Sequence, residues 1–187
     1  MEDTLTNLTT WGYLALAFFS FGGSLVVVAA AGVLSYMGEM NLFISLAIAI
    51  VFNYIGDMFL FYLGKYHRED IKPYFEKHKR KIALSTLIMR KYGVLAIFIQ
   101  KFLYGIKTLV PISMALSRYD FKKFGFYNIF ASILFVTTIM LLSYYAGGTI
   151  EVLFNKFQSY PWIPFVVLII IIGAIWYAME HFTKVKK

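Results

Sequence analysis

The chain has 187 residues, of which 60% are hydrophobic and 19% aromatic but only 15% charged, and its net charge is +8. A soluble domain of this length has too little interior to hide so much apolar surface, so the composition specifies a membrane protein. The chain contains no cysteine, which excludes a disulfide framework, thiolate metal sites and a cysteine nucleophile.

Glu2 and Asp3 stand before the first apolar run, where a cleavable signal would carry basic residues, so that run is read as part of the mature chain. The apolar runs approach the roughly 20 residues needed to cross about 30 Å of hydrocarbon. They predict one all-α membrane domain, residues 1–187, divided at 13–37, 42–64, 93–117, 124–147 and 161–180. Residues 65–92 between the second and third runs are polar and rich in lysine and arginine, which places them in the cytoplasm by the positive-inside rule. Ile71, Tyr74, Phe75 and Ile82 give this stretch the makings of an apolar stripe. It reads either as an amphipathic segment whose basic residues face anionic lipid headgroups, or as a solvated connecting helix.

The loop from Arg118 to Lys123 is basic as well, and it would fall outside if residues 93–117 crossed the membrane. Both basic loops are cytoplasmic if 93–117 is a re-entrant hairpin, with Gly105 and Pro111 breaking the helix. Residues 124–147 then cross outward, Gly147 to Pro161 forms an external loop, and 161–180 return so that the Lys184 to Lys187 tail ends inside. By the same logic 42–64 run inward. Residues 13–37 read as a span or as a second re-entrant hairpin, and the base-free start and the Gly22-Gly23 break favour the hairpin. The resulting plan is two re-entrant hairpins in an inverted repeat plus about three spans, the arrangement of many transporters. One constant offset pairs Gly23 with Gly105 and Tyr62 with Tyr144.

Charges inside the apolar runs are the candidates for function. A lysine at mid-bilayer costs about 2.5–3.5 kcal/mol on insertion scales, so Lys101 and Lys107 need a counter-charge, water or an anionic ligand. Asp57 is the matching acid. One reading is a charge cluster facing a cavity, in which the lysines attract a phosphate headgroup and Asp57 balances them or relays a proton. The other is a fixed ion pair that locks a hairpin to the second span. Two lysines against one acid favour the first. Gly105, Thr108, Pro111 and Ser113 suit an unwound hairpin tip, as Gly22, Gly23 and Ser24 do in the first hairpin, while Pro111 alone would also fit a simple kink. Tyr104 and Asn128 read as hydrogen-bonding residues near the site or as ordinary interhelical contacts, and Gly56 and Gly64 as close-packing positions. His67, His78 and His181 have no metal-ligand spacing, and neither a nucleophile elbow nor a Walker loop is present. These patterns imply no enzyme, metal or cofactor. The positive charge lies in short loops beside apolar runs, where membrane orientation accounts for it better than nucleic acid does.

Three motifs together resemble the DedA family of bacterial inner-membrane proteins. They are Gly56-Asp-x5-Leu-Gly-Lys65; Phe98-x2-Lys-Phe-x-Tyr-Gly-x-Lys-x3-Pro111, the most specific; and Tyr119-x-Phe-x2-Phe-x2-Tyr-Asn128. The likeness covers residues 17–150. It implies two facing re-entrant hairpins and movement of lipids such as undecaprenyl phosphate or phosphatidylethanolamine across the bilayer. Asp57 matches the family aspartate, and Lys101 and Lys107 stand where the family has arginines, keeping the charge but not the bidentate fork. The acid that the family carries in its first hairpin is absent from Phe21-Gly-Gly-Ser-Leu25, which favours energy-independent scrambling over proton coupling. The expected function is a lipid flippase or scramblase with a lysine-lined phosphate site, possible as a homo-oligomer. A small-solute or ion-coupled transporter and a non-catalytic scaffold are the alternatives.

Overall fold

A computed structural model describes residues 2–67, 69, 79–103 and 107–156, and all regular structure in them is helical. The helices are α1 (Glu2–Phe21), α2 (Leu25–Tyr36), α3 (Leu42–Tyr66), α4 (Lys79–Tyr92), α5 (Leu95–Phe102), α6 (Leu109–Leu116) and α7 (Phe121–Lys156). The chain divides into two compact units, Met1–Gly147 and Gly148–Lys187. In the second unit, residues 148–156 are helical and the expected span at 161–180 lies outside the described residues.

Among the described residues two helices are long and apolar enough to cross a membrane, α3 over its whole length and α7 over Phe121–Thr149. Both expose a row of large apolar side chains and bury their small and polar ones, while Phe61 of α3 and Phe124, Phe135 and Met140 of α7 turn inward into the apolar core. On α3, Phe43, Val51, Phe52, Ile55 and Phe59 are exposed, while Ser45, Ala49, Asn53, Gly56 and Gly64 are buried. This reverses the pattern of a soluble helix and suits a span with lipid outside and helix contacts inside. The inward glycines set the spacing. A Cβ on Gly56 would run into the Phe21 carbonyl oxygen at the end of α1, and one on Gly64 would lie 2.9 Å from the Ile112 carbonyl oxygen of α6.

The caps follow from local sequence. Asn41 caps α3, its side-chain oxygen accepting from the backbone N–H groups of Phe43 and Ile44, and its own N–H donates to the Tyr13 hydroxyl at 2.8 Å, tying α1 to the start of α3. Asp120 caps α7 by accepting from the Lys123 N–H at 2.8 Å. Helix α1 ends in a Schellman turn, with Gly23 N–H donating to Ser20 and Ser24 N–H to Phe19, and Gly23 adopts the required left-handed conformation at φ 69°. Helix α6 closes the same way through Arg118 and Tyr119, and there Arg118 itself takes φ 61°.

The apolar stretch 93–117 is broken, as expected, into α5 and α6 of eight residues each. At about 12 Å apiece, neither helix crosses a bilayer. Pro111 is not the break. It sits in the first turn of α6, where its missing N–H has no intrahelical partner to lose, and the helix interruption lies between Phe102 and Leu109. Gly105 and Tyr104 lie outside the described residues. The loop expected from Gly147 is helical through Lys156, since no proline intervenes before Pro161. Within the basic 65–92 stretch, α4 occupies Lys79–Tyr92, and Ile71, Tyr74 and Phe75 fall outside the described residues.

Two apolar clusters hold the first unit together. Leu16, Val28, Ala31, Met40, Ala49, Phe135, Val136 and Met140 join α1, α2, α3 and α7. Phe61, Ile97, Val110, Met114, Ala115, Phe124 and Ala131 join α3, α5, α6 and α7. Between Ala49 and Phe61 on α3, and between Ala131 and Phe135 on α7, each span has a polar interval.

Candidate functional site

The polar intervals of α3 and α7 meet the last turn of α5. Lys101 is buried there, and three oxygens surround its ammonium: Asp57 Oδ2 at 2.6 Å, Asn53 Oδ1 at 2.6 Å and Ser132 Oγ at 2.9 Å. The Asn53 and Ser132 oxygens accept hydrogen bonds, while Asp57 Oδ2 makes a charge contact outside good hydrogen-bond alignment. The Asp57 side chain is 15% exposed against 3% for Lys101. Asn53 and Asp57 are one turn apart, so one face of α3 supplies both. Two of the three ammonium N–H donors are thus accepted by neutral oxygens, while Asp57 supplies the opposite charge.

Lys107 is placed differently. It lies in the turn before α6, half-buried, with its Nζ 5.9 Å from the centre of the Phe135 ring. Its Nζ also lies against Gly23, where an added Cβ would come within 2.6 Å. The Gly22-Gly23-Ser24 turn that ends α1 and the break between α5 and α6 therefore meet at this ammonium. Among the described residues Lys107 has neither an ion pair nor a hydrogen bond. The arrangement holds one cation paired with Asp57 and a second that has neither an ion pair nor a hydrogen bond among the described residues.

The remaining predicted residues surround this centre to different degrees. Gly22 is exposed, Gly23 buried, and Ser24 caps α2 by accepting from the Val27 N–H at 3.4 Å. Thr108 occupies the cap position of α6 without a side-chain cap bond. Pro111 and Ser113 are buried in α6, and the Ser113 hydroxyl has no partner among the described residues. Asn128 is buried on α7 and donates from Nδ2 to the Tyr54 carbonyl at 3.4 Å, an interhelical contact one turn from Ser132.

Asn53, Ser132 and Gln100 are not singled out by the sequence, whereas Ser20 is, with Ser24, a polar residue of the first hairpin. Asn53 and Ser132 each lie four residues from a predicted polar residue, Asp57 and Asn128, and that one-turn spacing was the available signal. Gln100 precedes Lys101 and is 1% exposed with both amide atoms unpartnered among the described residues, and the buried Ser20 hydroxyl is likewise unpartnered. Buried polar atoms are normally satisfied, so open hydrogen-bonding capacity of this kind leaves room for a polar ligand.

The chain matches the VTT domain family model over residues 9–145. It is 23% identical to undecaprenyl phosphate transporter A of Staphylococcus aureus over 203 aligned positions, covering 100% of this chain and 99% of that protein. Inner membrane protein YohD of Escherichia coli is 25% identical over 97% of this chain and 96% of its own length. Undecaprenyl phosphate transporter A of Bacillus subtilis is 21% identical, covering 100% of this chain and 98% of the relative. No solved structure matches significantly. The family match, together with two membrane-length helices and a buried lysine–aspartate site between them, makes this chain a membrane protein of the VTT-domain, or DedA, family.

Proposed function

We propose that this protein is a transporter that moves a lipid phosphate, foremost a polyprenyl phosphate of the undecaprenyl class and secondarily phosphatidylethanolamine, between the leaflets of a bacterial inner membrane. Lys107 takes the phosphate. The observation that carries this reading is its half-buried ammonium, which lies beside Gly23 with neither an ion pair nor a hydrogen bond among the described residues. Lys101 is held by Asp57, Asn53 and Ser132, so it acts as the anchor that fixes α5 to the two spans and adds positive potential to the site. Undecaprenyl phosphate is named in two of the relatives and fits the same charge requirement. The acid that the resemblance implies for the first hairpin is absent from Phe21-Gly-Gly-Ser-Leu25, the turn against which Lys107 lies, so a phosphate rather than a carboxylate of that turn meets the ammonium.

The accompanying architecture is a pair of re-entrant hairpins, α1–α2 and α5–α6, meeting near the middle of the bilayer. The short apolar helices and the location of Asn53 and Ser132 well inside their spans support it. The basic residues of 65–91 then face anionic headgroups on the cytoplasmic side.

The test is leaflet exchange in vesicles. Purified protein should accelerate exchange of labelled undecaprenyl phosphate relative to empty vesicles, without driving uptake of water-soluble anions. Acceleration of solute uptake alone would replace the lipid reading with a solute carrier, and no acceleration of either would leave a scaffold.

A further inference from the structure

A second basic feature lies away from the Lys101–Asp57 centre. At the start of α7, Val94, Tyr119, Lys122, Lys123, Phe126 and Tyr127 line an open surface cavity of about 570 Å³, within the usual size range of small-molecule sites. Lys122 and Lys123 are exposed, and neither has an ion pair among the described residues. The neighbouring Asp120 is turned to the helix end, where it accepts from the Lys123 backbone N–H. Two half-buried phenols, Tyr119 and Tyr127, add hydroxyl donors. Burial pushes the Tyr119 phenol above its ordinary range, helped by Tyr127 and Asp120, so it stays a donor at neutral pH.

The opposite wall is apolar and continues outward. Phe126 is 59% exposed and packs edge-on against Phe130 at 5.2 Å, and Ile133 and Leu134 extend the exposed row along the span. Because the membrane-length part of α7 begins at Phe121, Lys122 and Lys123 stand at headgroup depth while Phe126 and Phe130 stand at acyl depth. Cations, phenols and aromatic rings graded in this order match the amphipathic structure of a lipid.

We propose that this cavity is a separate docking site for an anionic phospholipid, with its phosphate between Lys122, Lys123 and the two phenols and its acyl chains along Phe126 and Phe130. A free anion would use only the polar half of the site. The lipid uses both.

The experiment measures the motionally restricted fraction of spin-labelled phosphatidylglycerol around the full-length protein in phosphatidylcholine vesicles. Wild type should prefer phosphatidylglycerol over phosphatidylcholine, and Lys122→Ala with Lys123→Ala should reduce that preference about tenfold. Tyr119→Phe with Tyr127→Phe, which leaves every charge in place, should reduce it by a smaller factor. Phe126→Ala with Phe130→Ala, which removes the apolar wall and no charge, should also reduce it. The proposal is overturned if the Lys122/Lys123 variant, folded by circular dichroism, keeps the full preference. An unchanged preference in the Phe126/Phe130 variant, or displacement by millimolar inorganic phosphate, would mean a free-anion site; either also overturns it.

Discussion

Lys101 and Lys107 are six residues apart and of the same type, yet their surroundings give them different work. Three oxygens from α3 and α7 surround Lys101, so removing either charge of its pair leaves the other buried and uncompensated. Lys101→Met or Asp57→Asn should therefore destabilise the protein by about 3–5 kcal/mol, read as a lowered thermal midpoint in detergent. The double variant should recover part of that loss. Lys107 has no such cage, and Lys107→Ala should leave the midpoint nearly unchanged. That Asp57 pairs with one of the two lysines was legible in the sequence because ionised groups in hydrocarbon must find one another, but the choice of Lys101 over Lys107 was not. The contributions of Asn53 and Ser132 were less legible, since a neutral polar side chain in a span has many satisfactory partners and its penalty is smaller. The open ammonium of Lys107 was visible only as surplus charge, and its approach to Gly23 required the turn geometry.

At the scale of elements, the site depends on helices that end sharply and cross closely. Gly56 lets the end of α1 reach α3 three residues beyond Asn53 and one before Asp57. Gly56→Leu should separate the two helices and abolish folding or transport together, measured as loss of the monodisperse purified protein. Arg118 occupies the left-handed position that closes α6, which for a non-glycine residue costs about 1 kcal/mol. Arg118→Gly should raise stability by a few tenths to about 1 kcal/mol in the same melting experiment. Helix existence was legible from apolar run length, because the hydrocarbon thickness dictates it. The position of the break in 93–117 was misjudged for Pro111, which as a first-turn residue starts a helix instead of stopping one. The persistence of α7 past Gly147 follows the same lesson: two glycines weaken a helix without ending it when good helix formers follow.

For the whole molecule, the charged centre lies along the chain between two apolar clusters on both α3 and α7, so its polar contacts form in an apolar setting. The expected cytoplasmic placement of both basic segments is open to direct measurement in a chain without cysteine. Single cysteines in place of Arg90 and of Lys122 should label from the same, cytoplasmic, face if α5 and α6 enter and leave on one side. Labelling from opposite faces would make 93–117 a crossing segment and refute the second hairpin.

The central claim is that Lys107 recognises the phosphate of the lipid that the protein moves. The most direct measurement compares leaflet exchange of undecaprenyl phosphate with that of undecaprenol, which has the same chain without the charge, for wild type, Lys107→Arg and Lys107→Ala. Wild type and Lys107→Arg should accelerate the phosphate well above the alcohol. Lys107→Ala should lose about tenfold or more of that selectivity, the worth of one charge-assisted hydrogen bond. Equal exchange of phosphate and alcohol by wild type, or full selectivity in Lys107→Ala, would contradict the account.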